Sequence, residues 1–155
     1  MLGTFRLYIL LFLFAVGTVA TVYAQGYGIG TPLEAKKMVE QAIAYIRSNG
    51  EEKALQEFDK LNGRFQWRDL YVFAYDLKGI VKGHPNHSLI GQNLYSEPDS
   101  KGKLFRKDIV DIAGSRGYAW VDYTYMNPMT RQEEAKITYC QKEGRLIVCC
   151  GAYLP

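Results

Sequence analysis

A chain of 155 residues, 48% hydrophobic and 23% charged, has the composition of one globular domain, long enough to bury a core without a metal or a dense disulfide framework. Its formal charge is +3, with both signs mixed along the chain and no basic block, which does not suit a nucleic-acid partner. Aromatic residues reach 14%, and 12 of them are tyrosines, which fit either half-buried strands or the wall of a half-polar cavity.

The N-terminal segment carries Arg6, an unbroken apolar run from Leu7 to Val16, and the small residues Val22 and Ala24 on either side of Tyr23. That order predicts a secretory signal peptide over residues 1–24, cut between Ala24 and Gln25. The competing reading is a retained membrane anchor. Against it, the apolar stretch is short of the roughly 20 residues a span needs, and Gly17, Thr18 and Thr21 dilute its end. No cysteine lies near the cut to take a lipid. Cleavage would leave a periplasmic or secreted protein, with a glycine-rich flexible leader over 25–30 and one domain over 31–155.

Thr31-Pro32-Leu33-Glu34 predicts a helix start, with Thr31 as cap, Pro32 in the first turn and Glu34 closing a capping box. Val39, Ala42, Ile43 and Ile46 then fall on one helical stripe, and Asn49-Gly50 ends it. Residues 51–59 predict a second, shorter helix with Leu55 and Phe58 inward. Beyond Asn62-Gly63 the period changes to two. Residues 70–75 and 80–84 predict a hairpin about Asp76-Leu77-Lys78-Gly79, stopped by Pro85. The loop that follows is long enough to suggest a functional role. Residues 105–114 predict a short helix with Ile109, Ile112 and Ala113 inward. Strands are expected over 119–126, 136–141 and 146–153, the last two joined at Glu143-Gly144. Helices first, then antiparallel strands with one further helix, predict an α+β domain.

The three cysteines allow at most one intrachain disulfide in an oxidising compartment. Cys149 and Cys150 point to opposite faces of a strand, so Cys140 can pair with either according to register. Three buried free cysteines are the alternative. Ser88, Ser96, Ser100 and Ser115 lack a nucleophile-elbow motif, no glycine-rich phosphate loop follows a strand, and no zinc pattern occurs. No cofactor is expected, and the protein is not expected to be an enzyme. A thiol site built from Cys149-Cys150 and His84 is the remote alternative.

Several stretches, in order, resemble the single Cache domain, the PAS-like extracellular sensor module of bacterial chemoreceptors and histidine kinases. They are Gly50 with residues 51–58, Leu70-Tyr71-Val72-Phe73-Ala74-Tyr75-Asp76 with Gly79, and His84-Pro85 followed by Leu89-Ile90-Gly91-Gln92-Asn93. Gly117-Tyr118-Ala119-Trp120-Val121-Asp122-Tyr123 with Pro128 follows, then Lys136-Ile137-Thr138-Tyr139 and Gly151-Ala152-Tyr153. The resemblance runs from about Glu34 to Tyr153 and departs from the family pattern at Cys149-Cys150. It implies a PAS-like antiparallel sheet carrying a long N-terminal helix and short packed helices. It also implies a pocket between sheet and loop for a small organic acid such as acetate, propionate, lactate or pyruvate. Because the sequence ends at Pro155, signalling would need a separate partner, such as a membrane receptor.

A small carboxylate needs a cation and several oriented donors in a sheltered cavity. Lys136 is the candidate cation, and His84 and Tyr123 the candidate donors. Tyr125 shares the face of Tyr123 by alternation, and Tyr71 and Phe73 share a face of the first strand. Trp67 is a candidate wall and Arg68 a reserve cation. Each also has a structural reading: strand-end contact for His84, core for the tyrosines, a solvated edge for Lys136, a seam cover for Trp67. The functional expectation is a carboxylate-binding sensor domain. The alternative is a module of the same fold that has lost its pocket and works through a surface.

Overall fold

The computed structural model describes residues 28–154; the predicted signal peptide and residues 25–27 of the leader lie outside them. Helix α1 spans Pro32–Asn49, and its start is the capping box read from the sequence: Thr31 accepts from the Glu34 amide while the Glu34 carboxylate accepts from the Thr31 amide. Gly50, at φ +87°, separates it from α2, Glu51–Phe58. Only glycine enters that backbone region freely. Then come β1 (Gln66–Trp67), β2 (Leu70–Asp76), β3 (Val81–Gly83), α3 (Phe105–Arg116), β4 (Tyr118–Met126), β5 (Glu133–Glu143) and β6 (Leu146–Tyr153). Among the described residues no helix is long and apolar enough to cross a membrane.

The strands form one antiparallel sheet in the order β1-β2-β6-β5-β4, with β3 also on β2. The chain's last strand therefore sits inside the sheet, buried along its whole length. A strand covered on both faces reads as a continuous apolar run, as Leu146-Ile147-Val148-Cys149-Cys150 does. Alternation divides the core in two. Leu70, Val72, Ala74, Val148, Cys150 and Ala152 meet α1 and α2 on one face. Tyr71, Phe73, Tyr75, Tyr123, Ile147 and Cys149 face the other way, under α3 and the long loop.

Three elements depart from expectation. The two-residue β1 carries too short a pattern to register in the sequence. The return arm β3 ends at Gly83 because the His84 amide donates to the Asp59 carboxylate at 2.9 Å, turning the chain off the sheet. Strand β5 begins earlier, at Glu133, since its pairing with β4 continues to Met126. The loop ahead of α3 is tied down by Asp99, whose carboxylate accepts from the amides of Lys101, Lys103 and Thr124. Register places Cys140 opposite Cys149, and the two are joined as a disulfide. Cys150 is free and buried on the opposite face, its Sγ 3.8 Å from Sδ of Met38.

Candidate functional site

On the α3 face, β5 presents Lys136 directly between Tyr123 of β4 and Tyr153 of β6. Directly paired residues of antiparallel strands share a face, so the lysine enters the sheet's interior side among aromatic rings. It is 1% exposed. Its Nζ donates to the Tyr71 hydroxyl at 3.0 Å and the Tyr153 hydroxyl at 3.3 Å. It also lies 4.2 Å from the Tyr71 ring centre, 4.4 Å from that of Tyr153 and 5.5 Å from that of Tyr125. The Tyr153 hydroxyl donates onward to the Met126 carbonyl at 2.8 Å. Gly151 makes room for the lysine stem: a Cβ there would stand 2.5 Å from Cε of Lys136 and 2.2 Å from Oγ1 of Thr138. No ion pair among the described residues includes Lys136. Ring faces offset part of the desolvation of an ammonium, but a buried charge without a counter-ion still carries a penalty of several kcal/mol.

His84 follows β3 and leads into the loop. Its ring leans on Tyr71 and Phe73, with centroids 5.3 and 5.9 Å away. Nδ1 accepts the Asn86 amide at 2.8 Å, which assigns the remaining ring proton to Nε2. Burial first, then the charges of Lys136 and Arg106, push its pKa down to about 4, so the ring is neutral at pH 7 and Nε2–H is a neutral donor. Burial likewise pushes Tyr75 up to about 12 and Tyr71 and Tyr153 well above the ordinary phenol range. The hydroxyls therefore act as hydrogen-bonding groups, not acids.

A cleft of about 310 Å³ opens over this cluster, with Tyr71, His84, Pro85, Tyr125 and Met126 among its walls. Lys136 is not itself among the walls, but its Nζ lies against the rings of two of them, Tyr71 and Tyr125. The structure thus brings together Lys136, His84, Tyr71 and Tyr125. Phe73, 3% exposed, supports the His84 ring from below. Tyr123 stacks flat on Phe105 at 3.8 Å and shares its hydroxyl with Thr138 at 2.8 Å. Trp67 and Arg68 require correction. Trp67 pairs with Leu70, whose side chain belongs to the α1 core, so the tryptophan falls on the wrong face to wall the cleft. Arg68, in a left-handed turn at φ +57°, stacks over the Trp67 ring at 3.8 Å. Neither reaches the site.

Sequence reading missed three residues. Tyr153 shares a face with Gly151 and Cys149 by simple alternation. Gly151 is the slot for the lysine. Arg106 lies at the start of α3, 8% exposed, and its guanidinium sits 4.2 Å from the Phe105 ring centre and 5.8 Å from that of Tyr125. The signal existed: Arg106, Ile109, Val110 and Ala113 have the spacing of a core stripe, and all four are buried.

The model of the single Cache domain 2 family matches residues 14–154. Among solved structures, the chain resembles a methyl-accepting chemotaxis protein from Vibrio parahaemolyticus, at 22% identity and TM-score 0.66 over 78% of this chain and 86% of that one. It resembles a periplasmic sensor domain of a chemotaxis protein at 26% identity and TM-score 0.62, over 79% and 90%. It also resembles a Cache chemosensory domain described for carboxylic acid recognition, at 22% identity and TM-score 0.61, over 79% and 88%. No curated protein matches.

Proposed function

This chain belongs to the single Cache domain 2 family, and from that premise we propose that it is an exported sensor domain whose cleft binds a short-chain carboxylate and reports its occupancy to a signalling or transport partner. The observation that carries the reading is Lys136: an ammonium 1% exposed, held by two phenols, with no carboxylate paired to it among the described residues. A ligand carboxylate supplies the missing counter-ion. The Nε2–H of neutral His84 adds an oriented donor, and the rings of Tyr71 and Tyr125 flank the short carbon chain. Acetate, propionate, lactate and pyruvate all have this chemistry. One structural neighbour recognises a carboxylic acid, which is the same class. The periplasm or the cell exterior is the compartment, in keeping with a periplasmic sensor domain among the neighbours and with the leader read from the sequence.

Binding without catalysis fits these residues better than a thiol enzyme does. Cys150 is fully buried on the face away from His84, and burial pushes its thiol up to about 12. A thiolate nucleophile needs the opposite environment.

A thermal-shift panel of C2 to C4 acids tests the reading. Ligand at about 100 times its Kd should add about 2.7 kcal/mol, and Lys136→Met should abolish that gain. A flat response of the wild-type protein across the panel overturns the reading in favour of an interaction module.

A further inference from the structure

We propose that one end of this domain, built around Trp67 and Arg68, docks on a bilayer surface containing anionic phospholipids. This surface lies outside the Lys136 cluster, and its docking stands whether or not the cleft binds a carboxylate.

Register brings several strand ends together. At one end of the sheet β2 starts at Leu70, β4 stops at Met126, β5 starts at Glu133 and β6 stops at Tyr153. Helix α1 starts at the same end. The Gly30 amide just ahead of it donates to the buried Asp69 carboxylate at 2.6 Å, and a Cβ on Gly30 would stand 2.2 Å from the Leu70 side chain. Most of the exposed large hydrophobic residues among those described sit here, including Ile29, Leu33, Trp67, Met126, Met129 and Leu154, with Leu33 76% and Met129 65% exposed. Exposed apolar residues scattered singly are ordinary, but gathered in one region they mark an interaction surface.

Exposed cations frame this apolar end. Lys37 and Arg64 border one groove with Trp67, between α1 and β1. Arg68 stacks over the Trp67 ring at 3.8 Å, and its Nη1 donates to the Ile29 carbonyl at 3.5 Å. It holds this place from a left-handed backbone, φ +57°, a region that favours glycine. None of the three cations belongs to an ion pair among the described residues. Glu34, the acidic residue of the groove, has its carboxylate engaged by the Thr31 amide and hydroxyl. The surface is therefore positive as well as apolar, the combination that holds a protein on an anionic bilayer. Tryptophan settles at the headgroup level, and arginine extends from apolar surface towards phosphate. Connectivity selects the bilayer as occupant. Residues 1–27, which include the apolar run Leu7 to Val16, join the domain at Gly28, next to Ile29. The end that meets the membrane first during export is thus the end that carries the patch.

Vesicle flotation tests this, using the chain from Gln25, which keeps every described residue and lacks the apolar run. The probes are vesicles of phosphatidylcholine alone and vesicles of phosphatidylcholine with an equal part of phosphatidylglycerol. The protein should bind the second and not the first, and binding should weaken as salt is raised. Arg64→Gln and Arg68→Gln should each lower affinity for the anionic vesicles about fivefold, and Trp67→Ala at least about tenfold. The chain has 2 tryptophans, and Trp120 lies near the opposite end of β4. The fluorescence of Trp120→Phe protein, which reports Trp67 alone, should therefore shift to the blue on the anionic vesicles, and that of Trp67→Phe protein should not. Absence of binding to both vesicles overturns the proposal in favour of a protein partner for this end. Equal binding to the two vesicles also overturns it, as does a blue shift confined to Trp120.

Discussion

Both faces of the sheet are made by the same strands through the same alternation, yet they hold different chemistry. On the α1 face, Leu70, Val72, Ala74, Val148 and Ala152 meet Ala35, Val39 and Ala42, all small or aliphatic. On the α3 face the same strands contribute Tyr71, Phe73, Tyr75 and Tyr153, and β5 adds Lys136. The first face is an ordinary core whose burial stabilises the fold. The second contains two buried cations and many hydroxyls, groups that lower stability unless something pairs with them. Even neighbouring cysteines divide this way: Cys149 is bridged to Cys140 on the site face, while Cys150 behaves as a small hydrophobe against Met38. Under the proposed function, stability and recognition fall on opposite sides of one sheet.

Substitutions on the two faces should therefore have opposite signatures. Phe58→Ala on the α1 side, removing a ring 1% exposed that packs edge-on against Phe65, should lower stability by about 3–5 kcal/mol. Measured by urea unfolding and then by titration at a temperature where the variant is folded, it should leave carboxylate affinity intact. Lys136→Met should do the reverse. Replacing an unpaired buried charge by an apolar side chain of similar length should leave the ligand-free protein as stable or more stable, by up to about 4 kcal/mol, while the ligand-induced thermal shift disappears. A destabilised Lys136→Met protein would show that the lysine holds the tyrosine cluster together for structural reasons alone.

Acidification should also separate the faces. His84 titrates at about 4 in the folded chain against an ordinary 6.5, so folding favours its neutral form. Its contribution is therefore complete above pH 6.5 and is lost as pH falls towards 4, with the unfolded chain binding the extra proton. Unfolding free energies from urea titrations between pH 7 and 4 should fall by of order 2 kcal/mol more in wild type than in His84→Gln; parallel curves would remove His84 from the buried cluster. The smallest expected effect is that of Tyr123→Phe. The lost hydroxyl serves Thr138, so stability should drop by about 1 kcal/mol, and carboxylate affinity should change far less than in Lys136→Met.

Local patterns in this sequence were sufficient for much of the architecture. The Thr31–Glu34 capping box placed the start of α1 correctly, because a cap is satisfied within one turn. The alternation of residues 70–75 identified β2, because period two requires no knowledge of its neighbours. Several motifs in order were enough to reveal the family. Lys136, His84, Tyr71 and Tyr125 could be nominated because each is a polar or aromatic group on a recognisable strand or at its end.

What sequence alone left open depended on long-range pairing. Whether Cys140 meets Cys149 or Cys150 is a question of register, and a shift of one residue exchanges the faces of a whole strand. The same ambiguity concealed that Trp67, opposite Leu70, belongs to the helix side. Arg106 drew no assignment from the sequence, because charge normally means exposure. Only the docking of α3 onto β4, with Phe105 stacked on Tyr123, buries it, and only the order β2-β6-β5 brings Tyr71, Tyr153 and Lys136 from distant parts of the chain to a single point. Periodicity and capping act over a few residues and are written into the sequence directly. The site is a convergence of side chains as distant in sequence as Lys136 and Tyr71, 65 positions apart, and packing alone decides it.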